Sequence, residues 1–491
     1  MRWSLLGSGL PLLWACGSHS LVAPTPDPSR SSQDVFTASL VNKLDVLFMV
    51  DNSPSMAPVQ QRLVAQFPSF MDPLKTVPTP DGSGKALPDI HVGVVSSDTG
   101  PGKFASSANC HYGGDSGQLQ YKARGTCTKS PLHTTPTQQT FLSASGNQTV
   151  TNYDGDISDA FGCIAALGDT GCGFEGQLKS VRWALDPFNP PPGNEGFLRD
   201  DATLAVVLIT NEDDCSVPDD SDLADPRQTT LADPLGHFWS YRCNEFGHLC
   251  NINGTPQPPP RDHAADHLQG CVSNEAQTPT QTAPSGLLTK VGDEVAFLKG
   301  LKSDPSRIVV AAITGLPTDY TVVMKQGDDG TTEAHPEIQP ACTSKSGDTA
   351  DPAVRLNQWL GAFGELGLPE SICDDTLNSA LTDIANLIIR NIGPQCVKGT
   401  LMDGDPSTPE LDPICQVTDF YTDAQKKQQQ SVLQACAVNP APPCWSLVDD
   451  MSCPGAKKLN VTRDGGVLPD TLETRISCSL CIPGVARPGC P

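Results

Sequence analysis

The chain has 491 residues, enough for two or three domains, and 38% of them are hydrophobic, enough for a sizeable core. Lysine and arginine number 32 against 56 aspartates and glutamates, a net charge of −24 with no basic block to offset it. That balance argues against binding nucleic acid through its phosphates, and it suits solubility or the attraction of divalent cations.

The N-terminus reads MRWSLLGSGLPLLWACGSHS. One arginine, a short apolar core and Leu13-Trp14-Ala15-Cys16 resemble a bacterial lipoprotein signal, with residues 1–15 removed and Cys16 acylated. The apolar run is shorter than the roughly 20 residues needed to span a bilayer. Gly17 after Cys16 favours the outer membrane or cell surface as the destination. Of 19 cysteines, setting Cys16 aside leaves an even number, which in an exported chain points to a disulfide framework. Residues 16–38, rich in Pro and Ser, read as a flexible tether.

From there the pattern is α/β. Leu44–Val50 is a continuous apolar run, as in a strand buried on both faces, and Val59, Leu63, Val64, Phe67 and Phe70 recur at helical spacing. Ile90–Ser96 is a second strand. Residues 99–150 lose periodicity and read as an insertion stapled by cysteines. Residues 156–167 and 175–185 look helical, and Thr203–Thr210 (TLAVVLIT) is the clearest buried strand. A second irregular insertion covers 211–285. A helix marked by Leu288, Val291, Val295 and Leu298 follows, then the strand RIVVAAIT over Arg307–Thr314, and a final helix marked by Leu377, Leu381, Ile384 and Ile388. Strands alternating with helices predict a doubly wound, mostly parallel α/β sheet over 39–395. Residues 396–491 hold eight cysteines and many prolines, and read as a small module dependent on disulfides. Cys163 and Cys172 flank a Gly-rich turn and are expected to pair, as are Cys243 and Cys250.

The segment that carries chemistry is Asp51-Asn52-Ser53-Pro54-Ser55-Met56, one carboxylate and two hydroxyls at the C-terminal end of a buried strand, where open α/β sheets place ligands. It resembles the DxSxS motif of von Willebrand factor type A domains, and the order of strands and helices over roughly 40–390 follows that family. The combination of DNSPSM, GCGFE and NEDDCS with many cysteines is also similar to secreted bacterial lipoproteins of that type. The resemblance implies a metal-ion-dependent adhesion site. Asp51, Ser53 and Ser55 would hold a divalent cation, Mg²⁺ or alternatively Mn²⁺ or Ca²⁺, and leave a coordination position for a partner's acidic group. The family's threonine would correspond to Thr170, with Glu175 nearly as well placed. The family's later aspartate is replaced by Asn211, with Asp213 within reach if the loop is short.

Other signals are weaker. Gly114-Asp115-Ser116-Gly117 lacks the base histidine and two-barrel context of a trypsin-like nucleophile and reads as a turn. Cys243, His248, Cys250, His263, His267 and Cys271 match no compact zinc pattern. Cys478-Ser479-Leu480-Cys481 reads as structural bridging rather than a redox pair. Asp403, Asp405, Glu410 and Asp412 lack EF-hand order. The sequence therefore predicts an exported, lipid-anchored, non-enzymatic protein of the bacterial cell envelope that binds a protein or envelope polymer through a divalent cation. A structural envelope protein with a degenerate, metal-free scaffold is the alternative, and a hydrolase built on Glu212, Asp213 and Asp214 is a third reading.

Overall fold

The computed structural model describes residues 35–490 except 41–42, 79–84, 105–109, 134–138, 146, 258–265, 276–286, 303–304, 317, 327–333, 393–396, 398, 409–410, 423–426, 450–456, 464–472 and 483. The signal segment, Cys16, most of the tether and His263 lie outside the described residues.

A seven-stranded sheet forms the centre of the largest body. Its order is Gly367–Ser371, Ile308–Thr314, Thr203–Ile209, Lys43–Val50, Asp89–Ser96, Leu142–Ser145 and Val150–Thr151. The first five run parallel, and the last two pair antiparallel. Burial on both faces explains the unbroken apolar runs: every residue of Thr203–Ile209 and Ile308–Thr314 is buried. On one face, Phe48 meets Phe67, Phe70 and Phe161 with ring centroids 5.1–5.7 Å apart, and Phe67 stacks on Phe161 at 3.7 Å. Those rings come from helices Pro68–Leu74 and Ile157–Ala165 and the turn before the former. Helix Asn378–Ile392 seals the same cluster with Leu381, Ile384 and Ile388. The opposite face packs Leu47, Met49, Val206 and Val310 against helices Gln177–Ala184, Val291–Gly300 and Val354–Gly361.

The expectation of a doubly wound, mostly parallel fold is corrected. The molecule is a mixture of sheets in which most strand pairings are antiparallel, and parallel pairing is concentrated in the strands just described. A five-stranded sheet assembles from Thr255–Gln257, His248–Ile252, Asp266–Ser273, Tyr320–Lys325 and His335–Ile338, so the stretch 211–285 is not simply irregular. A six-stranded sheet joins Val35–Leu40 to five strands between Cys415 and Ser479. The boundary placed at residue 38 therefore falls inside a strand that pairs with Glu473–Ser479. Strands such as Gln428–Ala435 (QQQSVLQA) are polar and mostly exposed, which removes the apolar alternation by which strands are recognised.

Disulfides close within each portion of the chain, but not between the predicted partners. Cys163 pairs with Cys127 and Cys172 with Cys110; Cys243 pairs with Cys215 and Cys250 with Cys271. Cys172 is drawn away from Cys163 because its loop is pinned to the sheet end: Gly171 N donates to Asn52 O at 2.8 Å. Cys243 sits on helix Tyr241–Gly247 in one apolar cluster, whereas Cys250, on the following strand, sits in another. Cys342–Cys373, Cys415–Cys478, Cys436–Cys444 and Cys481–Cys490 complete the described bridges. Eight such bonds among the described residues point to an oxidising, extracytoplasmic compartment. Among the described residues no helix is long and apolar enough to cross a membrane.

Candidate functional site

The C-terminal ends of Lys43–Val50, Asp89–Ser96 and Thr203–Ile209 lie side by side, and their loops gather polar groups. Asp51 N donates to Ile209 O at 2.9 Å, which keeps the chain at the rim for one more residue. The Asp51 side chain is fully buried. Its Oδ1 accepts from Ser53 N at 2.8 Å and Ser97 Oγ at 3.1 Å, and its Oδ2 accepts from Thr210 Oγ1 at 2.6 Å. Burial raises the Asp51 carboxyl above its ordinary range, and the donors from Thr210, Ser53 and Ser97 pull it back.

Pro54 fixes the backbone for the turn that leads into helix Ala57–Gln66. Ser53 Oγ and Ser55 Oγ stand 3.3 Å apart, and Ser55 Oγ donates to Asn211 Oδ1 at 3.1 Å. Ser55 is exposed, Ser53 and Asn211 are buried, and Asn211 Nδ2 donates to Thr349 O at 3.2 Å. The structure thus brings Asp51, Ser53, Ser55 and Asn211 to one rim. Thr170 is exposed, on a loop whose next residue, Gly171, packs against Asn52 so closely that a Cβ there would lie 2.3 Å from Asn52 Oδ1.

Asp213 does not join the site, which corrects its assignment as a ligand. Its Oδ2 accepts from Arg355 N at 2.8 Å and His248 Nε2 at 2.7 Å, and its Oδ1 accepts from Leu356 N at 3.1 Å. It caps helix Val354–Gly361. Asp214 does the same for helix Gln177–Ala184, accepting from Leu178 N at 3.0 Å and pairing with Arg355 Nη2 at 2.9 Å. Two acids of the Glu212–Asp214 run are therefore helix-end chemistry.

Sequence reasoning missed several groups that build the rim. Gln60 bridges loops by donating to Asp51 O at 2.7 Å and Gly168 O at 2.8 Å while accepting from Gly168 N. Thr210, the last letter of TLAVVLIT, and Ser97, just past the second strand, orient Asp51. Their signal was a hydroxyl at a strand's C-terminal end, a placement noticed only for the first strand. Glu175 is 1% exposed, and neither its Oε1 nor Gln177 Oε1 has a hydrogen-bond partner. Burial, then the charges of Glu212 and Asp51, push the Glu175 carboxyl well above its usual range. Burial, then Asp351 and Asp51, push Glu212 up to about 8.

The donor set suits a hard cation: oxygens only, from one carboxylate, two hydroxyls and an amide, beside an orphaned carboxylate oxygen. Among the described residues no group of three or more His, Cys, Asp or Glu is placed to hold a metal, so any ion here depends on the hydroxyls and the amide. The zinc pattern dissolves, because its described cysteines are bridged and His248 lies between Asp213 and Tyr320.

No protein-family model matches the chain, and no curated protein matches it. Among solved structures it is similar to the pilus adhesin SpaC of Lactobacillus rhamnosus GG in its open conformation, at 12% identity and a TM-score of 0.27, over 93% of this chain and 43% of that one. It is also similar to the human COPII-coat protein Sec24c, at 8% identity and a TM-score of 0.26, over 91% and 42%. A third is the three N-terminal domains of the type V pili tip protein Mfa5 of Porphyromonas gingivalis, at 11% identity and a TM-score of 0.27, over 93% and 66%. The chain spans less than half the length of the first two. At such scores none of these likenesses carries a conclusion about fold or function, and the resemblance of DNSPSM to an adhesion site rests on its residues alone.

Proposed function

We propose that this is an exported binding protein of the bacterial cell envelope, anchored through lipid on Cys16, that engages a macromolecular partner through a divalent cation. Asp51, Ser53, Ser55 and Asn211 would hold the ion, and an acidic group of the partner would fill its open position. The observation that carries the reading is the chain of oxygens from Ser53 Oγ to Ser55 Oγ to Asn211 Oδ1, 3.3 and 3.1 Å apart, beside a buried carboxylate. A bound ion supplies the electrophile; the protein's own residues orient it and keep net charge at the rim low enough to accept a second carboxylate.

A specific observation favours the metal-free alternative. Both oxygens of Asp51 already accept hydrogen bonds, and Ser55 is satisfied by Asn211, so the set is stable without an ion. Calorimetric titration of the purified chain with Mg²⁺, Mn²⁺ and Ca²⁺ separates the two. Binding at about 100 times Kd raises stability by about 2.7 kcal/mol. Ser55→Ala, at an exposed position, should abolish that gain without loss of fold. No binding of any of the three ions sinks the cation reading and leaves the scaffold reading.

A further inference from the structure

Beside the same rim, past the end of strand Asp89–Ser96, lies a groove with a volume of about 540 Å³, within the range of about 300–1,000 Å³ found for ligand sites. Tyr112 and Trp183 supply aromatic surface, Asp186, Asn189 and Asp219 supply polar groups, and the run Pro190–Pro192 forms one wall. Thr99 also lines it. Its Oγ1 is turned inward against Gly176, where a Cβ would lie 2.2 Å away.

The groove is built rather than incidental. Lys179 Nζ sits 4.4 Å from the Trp183 ring and donates to Asp219 Oδ1 at 2.7 Å, so its charge is taken up and the indole is fixed. Gly117 allows the close approach on the Trp183 side, since a Cβ at that position would lie 2.5 Å from Trp183 Cβ. The proline wall is held at its base by Asn194, which is buried and donates to Gly117 O and Ala184 O while accepting from Leu119 N. At its start, Asp186 Oδ1 accepts from Phe188 N and Asn189 N. The loop thereby presents Phe188, 96% exposed, next to the groove, and Tyr112 is 71% exposed.

The lining selects a ligand class. It contains no lysine, arginine or histidine, it carries two carboxylates, and the chain's net charge is −24, so anionic ligands are disfavoured. No strand lines it, so a peptide has no sheet edge to extend. Aromatic faces beside carboxylate, amide and hydroxyl groups suit a neutral ring with apolar C–H faces and many hydroxyls. We infer that this groove binds a neutral oligosaccharide, with a sugar ring stacked on Tyr112 and Trp183 and its hydroxyls bonded to Asp186 and Asn189.

The test is calorimetric titration of the full chain with cellohexaose, chitohexaose, maltohexaose and mannohexaose, in the presence of EDTA so that the cation site plays no part. At least one should bind with Kd below about 1 mM. Tyr112→Ala and Asn189→Ala, both at exposed positions, should each weaken it roughly tenfold or more with an unchanged thermal unfolding profile. Failure of all four sugars to bind, or full affinity in Tyr112→Ala, overturns the inference. So does binding of a proline-rich decapeptide in their place.

Discussion

Replacing Asp213 by alanine tests whether the acids after the TLAVVLIT strand are ligands or helix caps. The carboxylate accepts from Arg355 N, Leu356 N and His248 Nε2 at 2.8, 3.1 and 2.7 Å, and all three partners are buried. Losing the cap costs about 1 kcal/mol, and a buried donor left without an acceptor costs about 1–3 kcal/mol. His248 is fully buried, and its other nitrogen faces Tyr320 OH at 2.9 Å. The sum for Asp213→Ala is about 2–4 kcal/mol. With a urea slope of about 3 kcal/mol/M, the unfolding midpoint should fall by about 0.7–1.3 M. The assay is urea unfolding with disulfides intact, followed by circular dichroism, with and without Mn²⁺. Any gain from Mn²⁺ should be as large in the variant as in the parent. A midpoint within about 0.2 M of the parent, or a lost Mn²⁺ response at unchanged stability, would refute the capping argument.

Asn211→Asp should tighten cation binding by adding a carboxylate beside Ser55, read as a lower Kd for Mn²⁺ in calorimetry. Gly171→Ala should lower stability by about 1–3 kcal/mol in the same urea assay, because its Cβ would sit 2.3 Å from Asn52 Oδ1 and the buried Asn52 amide, which accepts from Ser97 Oγ, must swing aside. Peptide mapping without reduction should recover Cys127 joined to Cys163 and Cys110 joined to Cys172. Cys127→Ser, which opens a loop of 36 residues, should cost about 4 kcal/mol on the chain-entropy estimate. Stability should change little between pH 6.5 and 4 through Asp45 and His91 together, because their contributions oppose. Burial, against the pull of Arg199, raises Asp45 to about 6, so its stabilisation is full below 3.8 and is lost as pH rises through 6. Burial and Arg199 lower His91 to about 4, so its stabilisation is present above 6.5 and is lost as pH falls through 4. Each is worth about 3 kcal/mol, and Asp45→Asn should therefore expose an acid-side loss of that order in thermal unfolding between those pH values.

Four of the five parallel strands were legible because they are largely buried and read as apolar runs, and Leu44–Val50 and Thr203–Ile209 needed no neighbour to be recognised; the edge strand Gly367–Ser371 (GLPES), only partly buried, was not. The other sheets were not legible. Val35–Leu40 finds its partner more than four hundred residues away, at Glu473–Ser479, and no local pattern encodes such a pairing. The cysteine pairings failed for a related reason. Cys163 and Cys172 are near neighbours in sequence, but one side chain is directed by its helix and the other by a loop pinned to Asn52. At the rim, the meeting of Asp51, Ser53 and Ser55 was legible because they follow a buried strand at alternate positions. Asp213 was misread because its cap partners, Arg355 and Leu356, lie 142 and 143 residues on. Cap chemistry is recognisable from sequence only when the helix it serves follows directly.

The two ends of the parallel sheet treat buried acid differently, and that contrast bears on where function lies. At the N-terminal end, Asp45 is fully buried but answered by cations. Arg199 donates to it from N and Nε at 2.7 Å, and Lys302 acts on it from nearby. Arg199 also binds Leu44 O and Asp89 O, so the pair closes the strand starts as a structural clasp. At the C-terminal end, burial raises Asp51, Glu175 and Glu212, the charge of Asp51 adds to the rise of both glutamates, and among the described residues no lysine or arginine forms an ion pair with any of them. Among the described residues, the Asp51 carboxylate accepts from two hydroxyls and one backbone N–H. A fold able to neutralise a buried carboxylate at one end leaves an uncompensated set at the other, at a cost in stability of the kind usually met at functional sites. Protons can meet that charge, and so can a divalent cation. Only the cation would leave the exposed Ser55 hydroxyl beside a positive centre facing solvent, which is why the rim, not the clasp, is where binding should be sought.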